Sequence, residues 1–204
     1  MKKYLIILII SIIVFAFNTA FTTVKTAEVT LRDVAPSVVT CYTVLDEENV
    51  FTLDLKKSFL GFKEAVGFKE SQGKYTRINS LGYLGKYQFG ASTLAMYRVA
   101  NLKAFLHNTK LQERVFELNC MRNKWILRKD IKRFVGKRIN GVLVTESGIL
   151  AAAHLSGAGR VKKYLHSYGR VEAIDAYGTT ITYYLKKFRG YDTSSVLPVK
   201  LPKL

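Results

Sequence analysis

The clearest hydrophobic pattern begins near Leu53, where Leu55, Phe59, Phe62 and Val66 recur at spacings of three and four. That spacing draws one apolar stripe along a helix, and Gly73 is its expected C-terminal stop. The tract from Lys74 to Gly90 has no helical period. Gly82, Gly85 and Gly90 allow backbone shapes other residues resist, so a loop or short hairpin is predicted. A second helix is expected from near Ser92 through Leu94, Tyr97 and Leu102. A third should span about 110–121, with Leu111, Val115 and Leu118 on one face.

"RNKWILRKDIKRFVGKR" then reads as a basic amphipathic helix with Trp125, Ile126, Ile131, Phe134 and Val135 apolar. "INGVLV" reads as a turn. Thr145 should cap the next helix, with Glu146 in the first turn where the helix dipole favours an acid. Its end is placed at the turn Ser156-Gly157-Ala158-Gly159. "VKKYLHSYG" makes another short helix, and Thr179 or Thr180 caps "ITYYLKKF", stopped at Gly190. The fold class is therefore mainly α, with one glycine-rich irregular or hairpin excursion after the first core helix. Residues 53–191 form the domain, 28–52 a leader segment packing against it, and 192–204 a basic, Pro-broken, extended tail.

The N-terminus changes the picture. "MKKYLIILIISIIVFAFNTA" places two lysines before an apolar run from Tyr4 to Phe17, broken only by Ser11. These are the charged and apolar regions of an export signal covering residues 1–27, with cleavage after Ala20 or Ala27. An uncleaved anchor is the rival, although the run falls short of the roughly 20 residues a spanning helix needs. Export to the periplasm, the cell envelope or the exterior is the expectation, with membrane contact only through this segment if it stays uncleaved.

Charge then narrows the partner. Across 204 residues there are 32 Lys plus Arg against 15 Asp plus Glu. Removing residues 1–20 takes two lysines and no acid, leaving +15. Such an excess calls for an anionic partner. The basic helix has the clustered Lys and Arg that nucleic-acid phosphates need. An exported protein more often meets cell-wall polymer, so no nucleic acid is expected; attraction to peptidoglycan carboxylates and other anionic wall polymers is. A merely solvated helix face is the plain alternative. Cys41 and Cys120 pair in an oxidising compartment or stay separate thiols. With His107, His154 and His166 they form no metal-ligand pattern, so no metal or cofactor is expected.

One carboxylate stands out. Glu70 lies four residues after Val66 and continues the apolar stripe, one turn before the glycine stop, while Glu64 points elsewhere. Partial desolvation favours the neutral acid, the form a general acid must supply. An ordinary helix-end Glu paired with Lys69 or Lys74 is the alternative. After it come Ser71, Tyr75, Asn79, Tyr83, Tyr87 and Gln88 in the glycine-rich tract, and no acid until Glu113. Aromatic faces stack on sugar rings and amides bond hydroxyl and N-acetyl groups, so a saccharide cleft is a sensible reading.

These residues resemble the lysozyme-like superfamily of goose-type lysozymes and lytic transglycosylases. Glu70-Ser71 is similar to the pair that ends a helix there. Gly85-Lys86-Tyr87-Gln88 is similar to its Gly-x-x-Gln cleft element, with Tyr87 where Met is frequent. "AAAHLSGAG" resembles the family's Ala-Tyr-Asn-Ala-Gly helix end, with His154-Leu155-Ser156 as the departure. "ITYYLKKFRGY" resembles its closing helix, whose Tyr reaches the acid; Tyr184 is the better match and Tyr183 the rival. The likeness covers about residues 55–191.

The resemblance implies a lysozyme-like fold and cleavage of the β-1,4 bond between N-acetylmuramic acid and N-acetylglucosamine in peptidoglycan. Glu70 would be general acid and then base, giving 1,6-anhydro-muramic ends. Ser71, Tyr75, Asn79, Tyr87, Gln88, His154 and Tyr184 would contact substrate or support the acid. A satisfied, buried or capping His154 is the competing reading. Hydrolases with two flanking carboxylates need a second acid, and a lytic transglycosylase does not. Glu146, Glu172 and Asp175 keep a hydrolytic muramidase open if one folds close to Glu70. A non-catalytic peptidoglycan-binding module is the further alternative.

Overall fold

The computed structural model describes residues 57–204, so the export signal, the leader segment, Leu55 and Cys41 lie outside the described residues. Among the described residues the fold is mainly helical: α1 (Phe59–Ser71), α2 (Ala91–Met96), α3 (Leu102–Leu106), α4 (Thr109–Phe134), β1 (Arg138–Ile139), β2 (Val142–Leu143), α5 (Glu146–Ser156), α6 (Ala158–His166) and α7 (Ile181–Lys187).

The first stripe forms a helix, but it begins at Phe59 rather than near Leu53. Ser58 caps α1 by accepting the Gly61 N–H, and Phe62 and Val66 are fully buried. The stop falls one residue early: Gln72 itself takes the left-handed conformation (φ 59), and the Gly73 N–H returns to the Gly67 carbonyl. The expected second helix is two, α2 and α3, separated by Arg98 at φ 61.

The expected third and basic helices are one rod of 26 residues, roughly 39 Å long at helical rise. No Gly or Pro interrupts 109–134. Gln112, Phe116, Asn119, Asn123, Leu127, Asp130 and Phe134 keep one face buried throughout at spacings of three and four. "INGVLV" is a complete hairpin: Ile139 pairs with Val142 across Asn140 (φ 47) and Gly141 (φ 75), the tight-turn chemistry of Asn-Gly.

Helix α5 is the centre. Ser147 to Ala153 are all buried, and it packs against α4, α6 and α7. Thr145 caps it by accepting the Gly148 N–H at 3.2 Å. Gly148 allows the α7 backbone to approach: a Cβ there would stand 2.9 Å from the Leu185 carbonyl. Its end is sharper than expected, because Gly157 alone (φ 81) turns the chain and α6 resumes at Ala158. Thr180, not Thr179, caps α7. The tail is irregular but not free: Thr193 and Val196 are buried, and the Val199 N–H bonds the Met121 carbonyl of α4.

Candidate active site

The Gly-x-x-Gln element forms the tip of a tight loop closed by reciprocal backbone bonds between Leu84 and Phe89, both 2.9 Å. Gly85 sits at φ 78, and a Cβ there would overlap the Gln112 side chain. Gln112 Oε1 accepts the Lys86 N–H (2.8 Å), while Nε2 donates to the carbonyls of Tyr75 (3.0 Å) and Phe105 (2.9 Å). One buried amide of α4 thus pins this loop to its neighbours.

The two central residues of the element point inward. Lys86 is 2% exposed, with Nζ 2.8 Å from Glu113, 2.6 Å from Glu64 and 3.3 Å from the Tyr75 hydroxyl. Gly67 leaves room for its stem; a Cβ there would lie 2.6 Å from Lys86 Cε. Tyr87 stacks on Phe116 at 4.0 Å and donates to Glu113 Oε2 at 2.8 Å. Burial alone would raise the Glu113 carboxyl, but the bonds from Lys86, Tyr87 and Tyr75 outweigh it and hold its pKa below the usual value. Burial and then the Glu113 charge push the Tyr87 hydroxyl upward.

Three of the expected substrate contacts therefore belong to the frame. Tyr75 spends its hydroxyl on Glu113 (2.8 Å), and Tyr87 is wholly buried. Ser71 is buried too, donating to the Lys86 carbonyl at 2.8 Å, which ties α1 to the loop. The sequence places all three near the acid, but their polar ends turn inward to meet buried charges and carbonyls.

Glu70 itself lies half-buried on the last turn of α1, between two cavities of about 110 and 430 Å³ that it helps to line. Tyr184 of α7, 1% exposed, donates its hydroxyl to Glu70 Oε1. That leaves Oε2 without a partner among the described residues. Burial, followed by the Glu70 charge and this bond, drives the Tyr184 pKa up, so the hydroxyl remains a donor. Tyr183 is the exposed neighbour, its ring beneath Lys69 and Lys187.

The 110 Å³ cavity shares Leu81, Tyr83, Gln88, His154 and Leu155 with a third cavity of about 560 Å³ on its other side. The result is one groove with Glu70 at its middle and Gln88 lining every part. Gln88 takes φ 49, donates Nε2 to the Gly85 carbonyl (2.8 Å), and keeps a buried Oε1 with no partner among the described residues. Asn79 lines two of the cavities; its Oδ1 accepts the N–H groups of Leu81 (2.9 Å) and Tyr83 (3.0 Å). Tyr83 and Tyr177 supply exposed aromatic faces.

His154 lines the groove while both ring nitrogens serve the frame. Nε2 lies 2.8 Å from the Tyr87 carbonyl and must donate to it; Nδ1 then accepts from Asn119 at 3.3 Å. The ring meets Phe89 and Phe116 edge-on. Burial lowers its pKa below 6.5, against the opposing pull of the Glu70 charge and the Tyr87 bond. It is a neutral clamp between α4, α5 and the loop.

Of the three other acids considered, two are occupied elsewhere. Glu146 pairs with Lys124 at 2.6 Å, and Glu172 accepts the first N–H groups of α7. Asp175 alone lines both cavities that Glu70 lines. Its Oδ1 accepts from the Tyr177 (2.9 Å) and Thr179 (2.6 Å) N–H groups, an Asx turn legible afterwards in "DAYGT". The basic helix is also divided: Lys124 staples Glu146 and the Thr193 carbonyl, whereas Arg128, Lys129, Lys132 and Arg133 are exposed. Among the described residues no helix is long and apolar enough to cross a membrane. No family model, curated protein or solved structure matches this chain.

Proposed function

We propose that this chain is an exported, lysozyme-like lytic transglycosylase that cleaves peptidoglycan glycan strands with Glu70 as general acid and then base. One observation carries the reading: a half-buried carboxyl at the middle of a continuous groove, one oxygen held by a buried tyrosine and the other left without a partner among the described residues.

Protonated Glu70 gives its proton to the bridging oxygen between N-acetylmuramic acid and N-acetylglucosamine, and the bond from that oxygen to muramic C1 breaks. The substrate's own acetamido group stabilises the oxocarbenium-like state. The carboxylate then takes the proton of the muramic 6-hydroxyl, whose oxygen closes on C1. Glu70 ends protonated as it began, and the product is a 1,6-anhydro sugar. Tyr184 holds Oε1 so that Oε2 performs both transfers. The donors of Asn79 match hydroxyl and acetamido groups, Gln88 lines the groove beside them, and Tyr83 and Tyr177 provide stacking faces.

Asp175 favours a second reading. A carboxylate in the same cavities as Glu70 suits an inverting hydrolase, in which it would activate water for attack at C1. Turbidity loss of purified sacculi tests the shared core of both readings. Glu70→Gln, with an unchanged unfolding profile, is expected to clear sacculi at least about a hundredfold more slowly; near-native clearing would remove Glu70 from the chemistry. Cell fractionation tests the export assignment, which fails if the chain is recovered in the cytosol.

A further inference from the structure

The largest part of the groove, about 560 Å³, has one charged side chain among its described lining residues, Arg122, and no acid among them. Arg122 is half-buried on α4 and has no ion pair or hydrogen bond among the described residues. Beside it, Asn123 is only 5% exposed and likewise lines this cavity with no side-chain partner among the described residues. A mostly buried amide without a protein partner is uncommon, and here it is open to a ligand in the cavity it lines. Asn119, Arg122 and Asn123 stand at i, i+3 and i+4, on one face of the helix. Asn119 is already engaged with Tyr97 and His154. Arg122 and Asn123 therefore present free N–H donors to the cavity, with the hydroxyls of Ser92 and Thr93 also in its lining.

A guanidinium next to an amide, in a pocket with no acid among its described lining residues, suits a planar anion. The anions on a peptidoglycan strand are carboxylates: the lactyl group of muramic acid once its peptide is removed, and the stem peptide while it is attached. We infer that this arm of the groove is a carboxylate subsite, in which Arg122 and Asn123 hold the acidic substituent of a muramic residue lying beyond the bond that is cut. The inference rests on the peptidoglycan reading and adds to it: the arm selects muramic-containing strands over neutral glucosamine polymers of the same length.

Calorimetric titration of full-length Glu70→Gln protein with three tetrasaccharides tests it. The ligands are neutral chitotetraose, a peptide-bearing peptidoglycan tetrasaccharide, and that tetrasaccharide stripped of peptide by an amidase. Either anionic ligand should bind at least about tenfold more tightly than chitotetraose. Which one does so identifies the lactyl or the peptide carboxylate as the source. Arg122→Gln in the same background should reduce the advantage to within about twofold. Asn123→Asp, which sets a fixed carboxylate beside Arg122 with little change of shape, should do the same, so a poorly folding Arg122 variant does not end the test. Equal affinity for neutral and anionic ligands, or an advantage that survives both substitutions, overturns the subsite and leaves the glycan cleft standing. Binding of none of the three overturns both.

Discussion

Replacing Lys86 with methionine removes the ammonium beneath the cleft loop while keeping most of its stem. Two carboxylates lose a partner. Glu64 is 42% exposed and turns to water, so its loss contributes less than about 1 kcal/mol. Glu113 cannot turn as freely. It still receives Lys63 at 3.2 Å and the hydroxyls of Tyr75 and Tyr87, each at 2.8 Å. Breaking a buried pair by removing one partner costs about 3–5 kcal/mol, and those surviving partners reduce the expected figure to about 2–3 kcal/mol. For a chain of this size that lowers Tm by roughly 4–12 °C. Urea titration followed by the fluorescence of Trp125, the sole tryptophan, reads the difference. Lys86→Met/Glu113→Gln should recover part of the loss, because the second substitution neutralises the stranded acid. A change below about 1 kcal/mol in Lys86→Met would refute the view that this cluster fastens the loop.

Three further outcomes are expected. Tyr184→Phe keeps the ring against Phe188 (5.0 Å) but deletes the bond to Glu70; a bond to a charged group is worth about 1.5–3 kcal/mol, so kcat/KM on sacculi should fall about 10–150-fold, and an unchanged rate would mean the hydroxyl is idle. His154 has its pKa lowered on folding, so its stabilisation is complete above 6.5 and declines as pH falls below that value; Glu113, also lowered, adds a second loss below 4.5. Thermal melts from pH 8 to 4 should show both limbs, and His154→Gln should remove the upper one only. Gly85→Ala should cost more than Gly82→Ala by at least about 1 kcal/mol in urea titrations, since both have φ 78 but only the first meets Gln112; equal costs would show that the side chain simply moves aside.

The half-buried position of Glu70 at the end of α1 was legible because two independent local signals agree on it, a stripe at helical period and a turn just after it. Thr145 was legible for the same reason, a capping hydroxyl acting on its own first turn, whereas Thr179 and Thr180 read alike and only the structure selects Thr180. The tilt of each loop residue was not. Ser71, Tyr75 and Tyr87 read as cleft residues by proximity, yet their hydroxyls turn inward to the Lys86 carbonyl and Glu113. That choice depends on a pairing of Lys86 with Glu113 across 27 positions, which no local period encodes. The change from mixed to basic composition suggests a break within α4, yet its buried face runs on unbroken; charge marks the solvent side and says nothing of where a helix ends. Asp175 lines the same cavities as Glu70 only through the long-range docking of α7, whose Tyr184 is the sole hint in the sequence.

The most direct measurement is mass spectrometry of the fragments released from purified peptidoglycan by the wild-type chain and by Glu70→Gln. The expected result is 1,6-anhydro-muramic ends from the wild type and no fragments from the variant. Equal fragments from both would contradict the role of Glu70. Reducing ends from the wild type, lost in Asp175→Asn, would replace the one-carboxylate mechanism with hydrolysis.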